Sequence, residues 1–508
     1  MSEAKAPSGP DFSHGIELAA IPVEGTLSGR VGDEPVLLSR LDGELYAVSG
    51  ACTHYGGHLA DGHIGRTSVR CPLHHACFDL KTGSVLRAPA LDPLDRWEVE
   101  VESGRAFVRR KLEPVERTKS RNADVGRIVI IGGGAAGLAC AVELRRLGFE
   151  GELTILSADK DAPYDRPNLS KDYLAGTAPE EWLPLRGDDW YSESRVDLRL
   201  STNVTQIDCD ARTVQCASGD RLPFDRLLIA TGSEPNRLSA PGFDAPNVFT
   251  LRTVADARAI AERAKPGSRA VLIGASFIAM EAAAALRHRK VEVDIVAPEQ
   301  VPFEQVLGTE LGIRLQSIHE QNGVRFHLGT GASAFDGRSV SLSSGETLEA
   351  DFVLVGIGVR PRIDLARSAG MEVDNGVLVD EYLQTNEPGI YAAGDIAQYP
   401  DPVSGQRLRI EHWVVAERQG EVAAANMLGE KKPFRSAPFF WTDQAGTMVR
   451  YVGHAKRWDA SKVDGDITDD SFSVRYFTEG EHRATATVGR DCENLQDELK
   501  LESFAEAR

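Results

Sequence analysis

Two kinds of hydrophobic pattern divide this chain. In the N-terminal fifth the apolar runs are short. Residues 35–41 (PVLLSRL) and 44–49 (ELYAVS) flank Asp42-Gly43, a dipeptide suited to a two-residue hairpin turn. Further along, apolar runs lead straight into glycine turns and then into helical periodicity. Residues 128–131 (IVII) precede Gly132, Gly134 and Gly137, and an amphipathic helix follows. The same succession returns at 270–287 (AVLIGASFIAMEAAAALR), where Gly274 stands 142 residues after Gly132. The pattern predicts a multidomain chain: a small antiparallel β domain, then two α/β units. Residues 109–126 (RRKLEPVERTKSRNADVG) are charged and unpatterned and read as a linker.

Length and composition agree. At 508 residues the chain has room for three to four domains of roughly 150 residues each. A net charge of −19 argues against nucleic acid and anionic membrane as partners, and fits a protein that docks a basic one. The most apolar stretch, 128–144, is too short and glycine-rich to span a bilayer, so no membrane span is expected. The first fifteen residues are polar, carry no secretory pattern and read as a disordered tail. Seven cysteines without framework spacing predict no structural disulfides and a reducing cytoplasm.

Chemistry concentrates in residues 51–83. Cys52 and His54 lie two apart, Cys71 and His74 three apart, with sixteen residues between the pairs. Thiolate and imidazole suit a soft or borderline metal, and a short offset lets one loop present two ligands. Tetrahedral zinc is one reading, although zinc spacing usually pairs Cys with Cys and His with His. The mixed arrangement resembles the Rieske family, whose C-x-H and C-x-x-H loops hold a [2Fe–2S] cluster. That resemblance implies Cys52, His54, Cys71 and His74 as the ligands, with Gly56, Gly57 and Pro72 shaping the loops. High-potential members add a disulfide between the loops. Gly57 and Leu73 stand at those places here, which implies a potential toward the low end of about −150 to +300 mV. Cys77 reads as a small buried hydrophobe. The family usually has glycine after the last ligand; here it is His75, either a partly exposed side chain or a titrating neighbour of the cluster. His58 and His63 read as solvent-facing.

The Gly132, Gly134 and Gly137 turn between strand and helix is a dinucleotide site: glycine permits close approach of pyrophosphate, and the helix N-terminus supplies amides. Asp159, or else Asp161, would hold the ribose hydroxyls. The second unit departs from the pattern. Ser276 places a Cβ where phosphate should approach, Ala279 replaces the third glycine, and Glu299 lies two beyond Ala297 at the usual acid position. No arginine meets a 2′-phosphate there, which favours NADH over NADPH.

Three further segments carry a second resemblance: 227–236 (LLIATGSEPN, with Ala230, Thr231 and Gly232), 352–362 (FVLVGIGVRPR, with Gly356) and 385–398 (TNEPGIYAAGDIAQ, with Gly394 and Asp395). Together they resemble flavoprotein reductases with two dinucleotide domains. The cysteine-free segment YDRPNLSKDYL and PFFWTDQ (438–444) are similar to the oxygenase-coupled ferredoxin reductases and the apoptosis-inducing-factor group. The joined order resembles apoptosis-inducing-factor-like proteins with an N-terminal Rieske domain. This implies a Rieske domain at 16–110, a linker at 111–126, an FAD domain at 127–246 and 374–428, an NAD(P)H domain at 247–373 and a C-terminal α/β domain at 429–508. It implies Arg166 and Lys171 at the flavin, Lys171 paired with Glu281, and Asp395 on the ribityl chain. Trp413 and Trp441 pack near the ring or in the core.

NADH delivers two electrons at once and a [2Fe–2S] cluster takes one; a flavin handles both. The expectation is therefore NADH to FAD to [2Fe–2S] to an external acceptor such as a cytochrome, a terminal oxygenase or a quinone. Two alternatives stay open: a slow redox-signalling protein, and a flavoprotein with structural zinc. His319 and His327 lack a third ligand for an oxygenase iron. The C-terminal segment suits packing or a homodimer.

Overall fold

The computed structural model describes residues 9–113, 115 and 125–506. Most of the expected linker lies outside the described residues.

The first domain is antiparallel throughout. Six strands follow the spatial order Ile16–Glu17, Arg105–Leu112, Arg96–Glu102, Glu44–Ser49, Glu34–Leu41, Gly25–Val31. Asp42-Gly43 makes the tight turn between Glu34–Leu41 and Glu44–Ser49, both residues at positive φ. A smaller sheet of His63–Ile64, Ser68–Arg70, Cys77–Asp79 and Val85–Arg87 carries the second Cys-His loop between its middle strands.

Order begins earlier than expected. Residues 9–15 had read as the end of a disordered tail, yet Phe12 is fully buried against this sheet and Asp11 pairs with Arg30 at 2.9 Å. Burying one phenylalanine contributes about 1.5–3 kcal/mol. That is enough to hold a short polar segment down.

The two α/β units are alike. In the first, parallel strands run Val196–Arg199, Glu152–Leu156, Arg127–Ile131, Arg226–Ile229, Ile390–Ala392. In the second the order is Val248–Phe249, Phe352–Val355, Arg269–Ile273, Glu292–Ala297, Val324–Leu328. Buried on both faces, these strands read as near-continuous apolar runs. Each glycine turn opens a helix, Ala135–Arg146 in the first unit and Phe277–His288 in the second.

The helix Trp413–Met427 is buried from Val414 onward and lies against Ala135–Arg146. Gly420 permits this: a Cβ there would sit 2.3 Å from the Ala136 carbonyl oxygen. The last domain is a five-stranded antiparallel sheet backed by the helix Asp491–Glu506. None of the seven cysteines is in a disulfide, and no described helix is long and apolar enough to cross a membrane.

Candidate functional site

The four candidate cluster ligands come together as two pairs. Cys52 and Cys71 are both buried and share a hydrogen bond, which raises the Cys52 thiol and lowers that of Cys71. The Nδ1 atoms of His54 and His74 face each other at 3.2 Å. Burial pulls the His54 imidazole down to about 3 and holds His74 well below its ordinary value. Burial thus favours the neutral form of both rings, the form that ligates metal. Among the described residues no group of three or more His, Cys, Asp or Glu is arranged around one point. The pairing of like with like fits a two-iron centre with two protein ligands per iron. Gly57 packs where the loops meet: a Cβ there would be 2.8 Å from Cys71 Sγ and 3.0 Å from Leu73. Cys77 is buried as expected.

His75 differs from the exposed side chain considered above. It is fully buried, its ring lies 4.0 Å from that of Phe439, and its Nδ1 is 3.1 Å from Glu498 Oε2. Its backbone is left-handed, φ 64°. That conformation explains why glycine suits the position. Here packing against the C-terminal domain offsets the cost.

A cleft of about 960 Å³ opens over the first glycine turn, lined by Gly132, Gly134, Asp159, Ala230, Thr231 and Gly232 among others. Gly132 has φ 117° and lies so close to the Ala230 carbonyl oxygen that a Cβ would be 2.2 Å away. Gly137 faces the helix packing, where a Cβ would be 2.0 Å from Gly132 O. Asp159 also accepts from the Tyr164 hydroxyl at 2.9 Å, whereas Asp161 is paired with Arg258.

The cleft continues inward between Arg166, Lys171, Glu281, Gly394, Asp395, Trp413 and Trp441. Asp395 pairs with Arg252 at 2.6 Å. Arg166 Nε is buried without a hydrogen-bond partner. A guanidinium nitrogen left without an acceptor beside a glycine turn fits an anionic dinucleotide.

The expected Lys171–Glu281 contact is present at 2.7 Å. Ser170 and Thr442 also donate to Glu281, at 2.5 Å each, so three domains' worth of segments converge on one carboxylate. Trp441 lines the cleft and its ring centroid lies 4.1 Å from that of His74. The second domain boundary thus brings the inner cleft and the Cys-His loops into direct contact.

The second cleft, about 980 Å³, is lined by Ser276 and Gly356, with Gly274 beneath. Ser276 caps its helix, its hydroxyl accepting from the Ala279 amide. Glu299 is exposed and lies away from this cleft. Lys456, Arg457 and Trp458 of the C-terminal domain line it instead, with His412, whose Nδ1 is buried and unpartnered. Sequence reasoning missed these residues. They lie far along the chain and carry no motif, although the basic-aromatic cluster KRW is itself a weak signal. His319 and His327 turn to different partners, Gln444 and Asp294.

Two dinucleotide clefts meeting an iron–sulfur module define a nicotinamide-dependent flavoprotein reductase. The chain belongs to the pyridine nucleotide-disulphide oxidoreductase family, whose model matches residues 126–420. A Rieske [2Fe-2S] domain matches residues 17–98 and a reductase C-terminal domain residues 439–498. The chain is 35% identical over 466 residues to human (Homo sapiens) apoptosis-inducing factor 3, covering 88% of this chain and 76% of that one. It is 37% identical over 355 residues to rhodocoxin reductase of Rhodococcus erythropolis, covering 69% and 83%. The crystal structure of a covalent putidaredoxin reductase–putidaredoxin complex superposes with a TM-score of 0.73 at 32% identity, covering 75% of this chain and 94% of that one. The cofactors are FAD, NADH and a [2Fe–2S] cluster.

Proposed function

We propose that the chain passes electrons from NADH through FAD to its own Rieske centre, and from there to an external acceptor. One observation carries the reading: Trp441 borders the inner cleft and packs on His74, so the reductase and the Cys-His loops share one boundary. Bound in their sites, FAD would accept a hydride and yield electrons singly, and the cluster would take one at a time.

Lys171 places a cation at the inner cleft, where it favours a reduced, more negative ligand, and Glu281 holds the ammonium in place. Arg166 would supply positive charge to the dinucleotide, with Arg252, paired with Asp395, beside it. Phe277 and Phe440 line both clefts and Trp413 the inner one, giving them apolar walls. Cys52 and Cys71 would hold one iron, His54 and His74 the other. Fusion keeps the cluster beside the cleft at high effective concentration, with no diffusing ferredoxin required for that step. The acceptor is a cytochrome, a terminal oxygenase or a quinone, and seven cysteines with no disulfide among them support a cytoplasmic setting. Relatives named as ferredoxin–NAD(+) reductase components of dioxygenase systems support the same direction of flow here.

The test is metal and sulfide analysis of anaerobically purified protein, followed by NADH titration. Two irons, two labile sulfides and one FAD per chain, with both centres reduced by NADH, support the proposal. Zinc without sulfide defeats it.

A further inference from the structure

We propose that the open face around the first Cys-His loop is the docking surface for the electron acceptor, and that the acceptor is a small one-electron carrier protein presenting a basic face. This rests on the reading that electrons leave the chain through its [2Fe–2S] centre.

The two ligand loops differ in access. The second is sealed. His74 and His75 are buried, Arg450 Nε donates to the Leu73 carbonyl at 2.9 Å, and Arg418 Nη2 donates to that of His75 at 3.4 Å. Its outer side is occupied by the C-terminal domain and by Trp441, the side from which electrons arrive. The first loop faces water: Thr53, Tyr55 and Gly56 are exposed. Tyr55 is 41% exposed and its ring stacks on the His54 imidazole, centroids 4.1 Å apart and planes within 15°. A partly exposed aromatic ring therefore packs directly on the candidate ligand of the first loop.

The surroundings match a protein interface. Tyr55 donates its hydroxyl to Asp165, whose amide donates to the Leu183 carbonyl at 2.8 Å. Trp182, beside Leu183, is 55% exposed. Thr53 Oγ1 donates to the Asp92 carbonyl at 2.6 Å, and Asp92 is paired with Arg186 at 2.8 Å. Segment 180–190 thus flanks the loop. Its Glu181, Asp188 and Asp189 are exposed and in no ion pair among the described residues. The cations paired with or within this segment are already matched, Arg186 with Asp92 and Arg258 with Glu180 and Asp161. Exposed aromatics with an unneutralised acidic rim select a cationic partner and steer its approach. The transfer balances without a proton: one electron leaves the reduced cluster and one ferric haem of the carrier becomes ferrous.

The experiment uses full-length holoprotein, reduced with dithionite and mixed by anaerobic stopped flow with a basic mitochondrial-type cytochrome c. Chemical reduction makes the outcome independent of NADH oxidation, so failure of NADH to reduce the cluster would count against the preceding proposal alone. The variants are Glu181→Lys/Asp188→Lys/Asp189→Lys combined, and separately Trp182→Ala. The charge variant should lower the second-order rate about tenfold or more at low ionic strength and flatten its salt dependence. Trp182→Ala should lower the rate at all salt concentrations. The cluster's EPR spectrum should be unchanged in both. No reaction of the wild type with the cationic carrier, or equal rates for wild type and variants with an intact cluster signal, would overturn the proposal. If the charge variant fails to fold, the Trp182→Ala rate decides.

Discussion

Glu498→Gln tests how the Rieske domain is held to the reductase. Glu498 is fully buried on the C-terminal helix. Its carboxylate meets Arg418 at 2.7 Å, Arg70 at 3.1 Å and His75 at 3.1 Å. Arg70 and His75 belong to the Rieske domain and Arg418 to the buried helix of the FAD domain, so one side chain ties three domains. Burial alone pushes the carboxyl up, but Arg418, His75 and Arg87 outweigh it and hold it well below the usual range. Neutralising it leaves Arg418, 1% exposed at its side chain, without this counter-charge. Breaking a buried pair from one side costs about 3–5 kcal/mol. At about 3 kcal/mol the balance between docked and undocked Rieske domain shifts roughly a hundredfold.

The assay is anaerobic stopped flow with NADH, beside thermal loss of the cluster's visible circular dichroism. Flavin reduction should keep its rate, cluster reduction should slow, and the cluster signal should melt several degrees earlier. Adding Arg418→Met should recover part of the loss, because it removes the stranded charge. The pH dependence has a definite sign. A carboxyl depressed on folding contributes fully above its unfolded value of about 4.3, and that contribution disappears as pH falls through the lower folded value. Docking should therefore weaken only in acid. Unchanged cluster reduction and melting in Glu498→Gln would refute the reasoning.

Three further outcomes are expected. Lys171→Met removes a charge-assisted contact worth about 1.5–3 kcal/mol, so flavin reduction by NADH should slow about 10- to 100-fold with iron content unchanged; stopped flow measures both. Trp441→Ala should slow reduction of the cluster by reduced flavin while hydride transfer keeps its rate, and simultaneous loss of both would contradict its position between the two sites. Phe12→Ala should destabilise the Rieske domain by about 3–5 kcal/mol, read as an earlier melt of the cluster signal with the flavin melt unaffected.

Much of this was legible because the chemistry is local. Cys52-x-His54 and Cys71-x-x-His74 read as candidate metal loops from their spacing, with the Rieske resemblance naming the cluster, and strand, glycine turn and helix are contiguous at Gly132 and at Gly274. The Lys171–Glu281 contact was reached through resemblance, since nothing in periodicity joins residues 110 apart. What stayed hidden arises where domains meet. His75 looked like a loop residue because its burial comes from Phe439 and Glu498. Phe12 was hidden for another reason: it is one aromatic in a polar segment, and its partners come later in the sequence, in the sheet of its own domain. Glu299 was placed by analogy with a ribose-binding acid, whereas the structure lines that cleft with Lys456–Trp458. Tyr55 had no visible partner until Asp165, in another domain, came within reach of its hydroxyl.

The most direct measurement is a single anaerobic mixing of NADH with the purified protein, with flavin absorbance and the cluster's EPR signal followed in time. The account predicts flavin bleaching first, then one-electron reduction of a [2Fe–2S] cluster in the same chain at a rate independent of protein concentration. A cluster that stays oxidised beside fully reduced flavin, or one reduced only in proportion to protein concentration, would contradict it.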